Sequence, residues 1–448
     1  MRRPVTALFP LLILAAACGP ADRTSETVPA VDAGAGDGED PNEGNVTLTG
    51  TVWAPGNAPG MVPPGHEIPV SGAVVYVALD RPEPISQTVE CVPCTEAPAS
   101  GVVTDAKGNF VLSVAPGTYW LVVQKAQFRL EQQLVITPQT VLTHEQTTLP
   151  SLHDPDNGMW IPRIALVLGY SGDPMETILG KMGIGEVDAS GAFIATSAAG
   201  KFDLYEAGSR SLAGAMPVET LVKDLDKMLQ YHIIFFPCAV GDRDELLAQS
   251  DVQRNIRDYV AMGGRMYVAD WAGDWADNIF PEQIQLAGTT YDTPATAYDR
   301  AADIWFPAQF GNANAFPSYT SFASISEPGL AEWLDGQMGA GGEISAEAIQ
   351  VVGNYNRIFD LHEVEIGTDM MGQPVIDAPV TYVSGTAPGW DNEIKPLMAT
   401  YEPVGCGRVM YSTFHTTSDE HVGLLPQERV LLYLLLEIGV CKDDPVVE

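Results

Sequence analysis

From Val46 the chain alternates. Val46, Leu48, Gly50 and Val52 are separated by polar residues, and so are Val75, Val77 and Leu79. Phe110, Leu112 and Val114 repeat the pattern, Pro116-Gly117 breaks it, and Tyr119, Leu121 and Val123 resume it. A period of two with Gly and Pro punctuation predicts antiparallel strands with one buried face. Asp105-Ala106-Lys107-Gly108-Asn109 reads as a hairpin turn, with Gly108 at a position suited to positive φ. Together these features predict an antiparallel β-sandwich over residues 45–152.

After His153 the pattern changes. Asp154, Asp156 and Asn157 sit in a linker turn whose spacing does not fit a calcium loop. The run "RIALVLGY" from Arg163 is continuously apolar, as in a strand covered on both sides. Met175, Ile178, Leu179 and Met182 share one helical face behind Asp173, read as a helix cap, and Pro174. Strands "KFDLYEA", "HIIFFPC" and "GRMYVAD" then alternate with helices "VETLVKDLDKML" and "DELLAQSDVQRNIRDYVAMG". Such alternation predicts an α/β domain over residues 159–448, a flavodoxin-like parallel sheet with helices on both faces. Residues 281–393 break the pattern and read as an insertion of loops and short elements.

With 448 residues, of which 46% are apolar, the chain can fill two cores. Its net charge of -35 repels phosphate backbones and excludes nucleic acid as a partner. Arg2-Arg3 precedes an apolar stretch, Ala7 to Ala17, of about 11 residues, too short to span a bilayer. Ala15-Ala16-Ala17-Cys18 resembles the bacterial lipobox. The resemblance implies a signal over residues 1–18, lipid on Cys18 as membrane anchor, and, with Gly19 rather than Asp next, sorting to the outer membrane. Residues 19–44 are small, polar and acidic without periodicity, and read as a disordered tether.

Two further resemblances cover the folded parts. Gly50-Thr51-Val52, Pro69-Val70-Ser71-Gly72-Ala73-Val74-Val75 and Thr104 through Tyr119 resemble the carboxypeptidase regulatory-like domain, a transthyretin-like sandwich. That family is an accessory module without catalytic residues, so no peptidase activity is implied. "YHIIFFPCAVG", "IRDYVAMGGRMYVAD" and "KPLMATYEPVGCGRVMYSTFHTT" resemble the class I glutamine amidotransferase-like fold, in its trehalose-utilisation-like branch. Catalytic members carry their nucleophile on a sharp turn, G-x-C-x-G, after the strand matching "GRMYVAD". Here the turn reads Ala269-Asp270-Trp271-Ala272-Gly273, with neither Cys nor Ser.

The candidate chemistry follows. Cys238 ends an apolar strand, one strand before that turn, where the family places oxyanion-binding N–H groups. His415 follows the last strand and reaches the same sheet edge. Cys238 or Asp270 paired with His415 would suit a hydrolase; the bland alternative for Cys238 is a small apolar thiol. Tyr170, Asp270, Trp271, Asp274, Trp275 and His415 gather where open α/β sheets bind ligands, and two indoles with acids suit a glycan. Equally, the Trp pair could pack the insertion onto the sheet. His362 and Glu365 form an H-x-x-E without a third ligand, and no metal or cofactor is implied. An oxidising compartment predicts disulfides Cys91–Cys94 and Cys406–Cys441, leaving Cys238 unpaired.

Three readings result. The leading one is a non-catalytic, lipid-anchored envelope protein whose α/β domain binds a glycan or an envelope protein. The second is a hydrolase of the same fold, and the third a structural envelope protein.

Overall fold

The computed structural model describes residues 44–91, 98, 100–168, 173–207, 210–238, 243–286, 298–299, 304–305, 318–368, 371–387, 393–416 and 421–437. Tyr170, Cys18, Cys94 and Cys441 lie outside them, as do the signal and the tether.

Alternation in the first part produces strands where it was read. Val46–Thr51 pairs antiparallel with Asn109–Val114, putting Leu48 opposite Leu112. The facing sheet has five strands in the order Val102–Val103, Val74–Ala78, Gly117–Lys125, Phe128–Ile136 and Met159–Trp160. The last of these lies beyond residue 152, so the sandwich sheet recruits the residues that open the second half. Gly108 takes φ +74, and a Cβ there would stand 2.8 Å from the Val52 carbonyl oxygen. The Asp105 turn is therefore closed by a residue without a side chain.

The second part is built on a ten-stranded sheet. Its spatial order is Met216–Pro217, Asp203–Glu206, Ile164–Leu168, Ile233–Phe236, Arg265–Ala269, Arg408–Ser412, Ile394–Tyr401, Val380–Thr386, Tyr319–Ile325 and Ile349–Asn354. The first six strands are parallel and the rest antiparallel. Three antiparallel strands come from residues 281–393, so this segment extends the sheet rather than merely looping over it.

The chain is β-rich with several sheets, and its helices are few and short. "VETLVKDLDKML" splits into Glu219–Val222 and Leu225–Met228, because the Asp224 carboxylate accepts from the Lys227 N–H and starts a second helix. "DELLAQSDVQRNIRDYVAMG" likewise divides into Asp244–Leu247 and Ser250–Ala261. Among the described residues, Pro426–Glu437 matches Ser250–Ala261 in length, at 12 residues.

Parallel strands feed two buried clusters by parity. Ile164, Leu166, Phe235 and Tyr267 join one, with Met175, Ile178 and Leu432. Ala165, Val167, Ile234, Phe236 and Val268 join the other, with Val252, Ile256 and Tyr259. The first cluster continues into the sandwich through Leu48, Val75, Phe110 and Leu121. Residues 44–448 accordingly form one compact unit. Polar contacts cross the same boundary. The Trp333 indole N–H donates to the Pro69 carbonyl at 2.7 Å, Lys125 pairs with Glu437 at 2.5 Å, and His232 bridges Ser86 and Arg163.

The disulfide pattern differs from the expectation. Cys91 is bonded to Cys406, across 315 residues of sequence and with Cα atoms 5.7 Å apart. Neither Cys91–Cys94 nor Cys406–Cys441 forms. The loop carrying Cys91 lies against the turn at Gly263, which brings its thiol to the start of the Arg408–Ser412 strand. Among the described residues Cys238 is not in a disulfide.

Candidate functional site

Three adjacent parallel strands end at one place. Ile233–Phe236 runs through Pro237 into Cys238, Arg265–Ala269 into Asp270, and Arg408–Ser412 through Thr413 and Phe414 into His415. Cys238, Asp270 and His415 are all buried, and one ligand atom from each lies within 4.8 Å of the others. The structure thus brings together the three candidates for chemistry.

The turn after Arg265–Ala269 is sharp. Ala269 is extended, at φ -122 and ψ 134, and Asp270 then turns to φ +49. A non-glycine residue with left-handed backbone costs energy and persists only where its surroundings hold it. Three groups hold this one. The Tyr355 N–H donates to Asp270 Oδ1 at 3.0 Å, and the Tyr411 hydroxyl and Asn356 amide donate to the Asp270 carbonyl at 3.0 and 3.4 Å. Asp270 Oδ2 is buried with no hydrogen-bond partner among the described residues. Burial pushes the Asp270 carboxyl well above the usual range; the Tyr355 N–H opposes this, nearby Asp173 adds to it, and a hydrogen bond with Cys238 opposes it.

His415 is fixed on several sides. Its Nδ1 contacts the Thr416 carbonyl oxygen, and its own carbonyl accepts from the Gln427 amide at 2.7 Å. Nε2 faces Asp270 Oδ2 at 3.7 Å. Tyr355 stacks flat on the imidazole, 5.6 Å between centroids and 8° between planes. Gly353, at φ +71, lets the chain pass beneath the ring, since a Cβ there would stand 3.2 Å from Cε1.

Asp173 was read as a helix cap, and it is not one. The helix Met175–Lys181 starts after Pro174 without a side-chain cap. Asp173 Oδ2 instead accepts from the Cys238 N–H at 2.9 Å, and Oδ1 accepts from the Thr416 N–H and hydroxyl at 3.0 and 2.6 Å. One buried carboxylate so ties the loop after Phe236 to the loop after His415.

The proposed ligand rim separates. Trp275 is fully buried and stacks on Phe236 at 4.3 Å and 20°, so it belongs to the core. Asp274 is also buried, its Oδ1 accepting from the Asn278 amide at 3.1 Å, beside Asp277, whose carboxyl burial holds well above the usual range. Both point into the fold because the turn's short helix Asp274–Asp277 is covered all round. Trp271 is half-buried and meets Tyr355 edge-on at 5.1 Å, so of the two indoles it alone borders the Asp270–His415 group. One cavity, of about 330 Å³, lies away from this group, between Phe359 and Lys395.

Tyr355, Asn356 and Asp173 were not anticipated as site residues. The one available signal was "GNYN" at Gly353, a polar and aromatic run between two apolar strands.

No family model matches the chain, and no curated protein is similar to it. Solved structures with some likeness include a cytoplasmic protein from Salmonella typhimurium, at 10% identity and TM-score 0.32, covering 63% of this chain and 100% of that one. Another is a protein described as thua-like from Bacteroides uniformis, at 8% identity and TM-score 0.31, covering 63% and 94%. A β-galactosidase from Rahnella sp. R3 is similar at 10% identity and TM-score 0.26 over 64% of this chain, which spans 33% of that enzyme.

Proposed function

We propose that the chain is a non-catalytic cell-envelope lipoprotein, anchored through lipid on Cys18, whose α/β body serves as a scaffold for binding a partner. In this reading the sandwich is a carboxypeptidase regulatory-like module. The parallel strands are the flavodoxin-like body of an amidotransferase-like domain. The order Asp203–Glu206, Ile164–Leu168, Ile233–Phe236, Arg265–Ala269, Arg408–Ser412 supports that reading.

One observation carries the absence of catalysis. The nucleophile's turn is occupied by Asp270, which is fully buried, bonded to the Tyr355 N–H, and kept towards its uncharged form by burial. A carboxyl so placed is a poor nucleophile. The loss of Trp275 to the core weakens the glycan reading. Exposed Phe322, Phe359 and Ile394 on or beside the added strands favour a protein partner instead.

A hydrolase remains the second reading because His415 and Asp270 stand 3.7 Å apart, a distance that catalytic pairs tighten on binding substrate. The test is turnover on a panel of activated esters, anilides and glycosides. No rate above buffer is expected; hydrolysis that is abolished in His415→Gln would establish the enzyme. Labelled palmitate incorporated by wild type and lost in Cys18→Ser would support the anchor, and equal incorporation by the two would refute it.

A further inference from the structure

Cys238, Asp270 and His415 present one thiol, one carboxyl and one imidazole within 4.8 Å of each other, all buried. Two separate features mark the group as more than a chance cluster. His415 Nδ1 faces the Thr416 carbonyl oxygen, which can only accept, so Nδ1 carries the proton and the Nε2 lone pair points towards Asp270. Metal-binding histidines are held in this way, with the outer nitrogen donated to a carbonyl. Asp270 Oδ2, fully buried, has no hydrogen-bond partner among the described residues, while Oδ1 is already bonded. A buried carboxyl oxygen without a partner, turned towards an imidazole lone pair, leaves two donor atoms aimed at one point that a bound cation would satisfy.

We infer that the chain binds one zinc ion through Cys238 Sγ, Asp270 and His415 Nε2. Sulfur, nitrogen and oxygen in one set suit Zn²⁺ and fit poorly to the oxygen-seeking Ca²⁺ and Mg²⁺. Zinc bond lengths put tetrahedral ligand atoms about 3.3–3.8 Å apart. The Asp270–His415 separation of 3.7 Å falls in that interval, and Cys238 must close by no more than about 1 Å. On binding, the thiol proton and the carboxyl proton both leave to solvent, and thiolate plus carboxylate neutralise the dication. Asp173 positions two ligands at once, since it holds the backbone of Cys238 and of Thr416 beside His415. The net charge of -35 favours the approach of a cation.

This inference is independent of whether the protein catalyses anything. The full chain, stripped with a chelator, is titrated with Co²⁺ and then Zn²⁺. We expect one equivalent of cobalt, a thiolate-to-cobalt charge-transfer band, and bleaching of that band by zinc. The band should vanish in Cys238→Ser, and zinc affinity should fall about 100-fold or more in His415→Gln. A folded wild type, verified by circular dichroism, that shows no such band overturns the site. So does a band unchanged in Cys238→Ser. Hydrolysis assays on the zinc-loaded sample report separately: turnover there would defeat the non-catalytic reading and leave the metal site standing.

Discussion

His415 Nε2 stands 3.7 Å from Asp270 Oδ2, and the two residues come from neighbouring strand ends that share no sequence proximity. The parallel register that pairs Ala269 with Ser412 brings them together, and Tyr355 closes over both by stacking on one and donating to the other. A reactive site needs a group that a substrate can reach. Here Tyr355 lies on one face of the imidazole, and Asp270 is fully buried. Removing that cover by Tyr355→Ala leaves the Tyr355 backbone bond to Asp270 in place and takes away only the stacked ring. We expect a stability loss of about 1–3 kcal/mol in urea unfolding, with no gain of hydrolysis.

Asp173 offers a sharper test of how the site is held. Its carboxylate satisfies three buried donors on two loops. Asp173→Ala leaves all three unmet, and we expect a loss of about 3 kcal/mol or more. Asp173→Asn should cost less, because its amide oxygen still accepts while its NH₂ faces a donor. Equal melting temperatures for wild type and Asp173→Ala would contradict this arrangement.

Cys91–Cys406 closes a loop of 315 residues and fastens the sandwich to the sheet. Non-reducing peptide mapping should recover a Cys91–Cys406 peptide. Replacing both by Ala should lower stability by about 3–5 kcal/mol, the range for a long closed loop.

His232 links the same two parts through a protonation-sensitive bridge. Its Nδ1 accepts from the Arg163 N–H at 2.9 Å, so Nε2 donates to the Ser86 carbonyl at 3.1 Å, and the ring must be neutral. Burial first, then Arg265, lowers its pKa to about 4; Arg163 adds to this, while the Ser86 bond and Glu90 oppose it. The unfolded chain binds this proton near pH 6.5 and the native chain only near 4, so the unfolded state holds more protons between the two. Stability therefore falls as pH drops through that window. Over the window wild type should lose of order 3 kcal/mol more than His232→Gln, as read from urea unfolding at several pH values.

The two tryptophans of the turn should behave differently. Trp275→Ala removes a fully buried, stacked ring and should cost about 3–5 kcal/mol. Trp271→Ala loses an edge contact with Tyr355 and should cost about 1 kcal/mol.

Much of the scaffold was legible because burial writes itself into periodicity. Leu48, Phe110 and Leu112 alternate since one face of their strands meets the core, and "IIFF" does not alternate since both faces are covered. Partners made across the fold were not legible. Asp173 sits before a proline and a helix, where a cap is the ordinary reading, and nothing local records Thr416, 243 residues away. The Cys91–Cys406 bond is hidden for the same reason: Cys91 neighbours Cys94 in sequence and Cys406 lies one βα unit from Cys441, while only the docking of the Cys91 loop on Gly263 brings Cys91 to Cys406. Trp275 was read as a rim because a strand end suggests exposure, yet the turn is tight enough to direct it inward onto Phe236.

The central claim is that the thiol and carboxyl at the strand ends are built into the fold and not presented to a substrate. Alkylation of Cys238 measures this most directly, read by mass spectrometry of its peptide after chelator treatment at neutral pH. We expect native Cys238 to react with iodoacetamide about 100-fold or more slowly than in the urea-unfolded chain. A native rate exceeding that of the unfolded thiol, and falling to the unfolded rate in His415→Gln, would show an activated nucleophile and contradict the account.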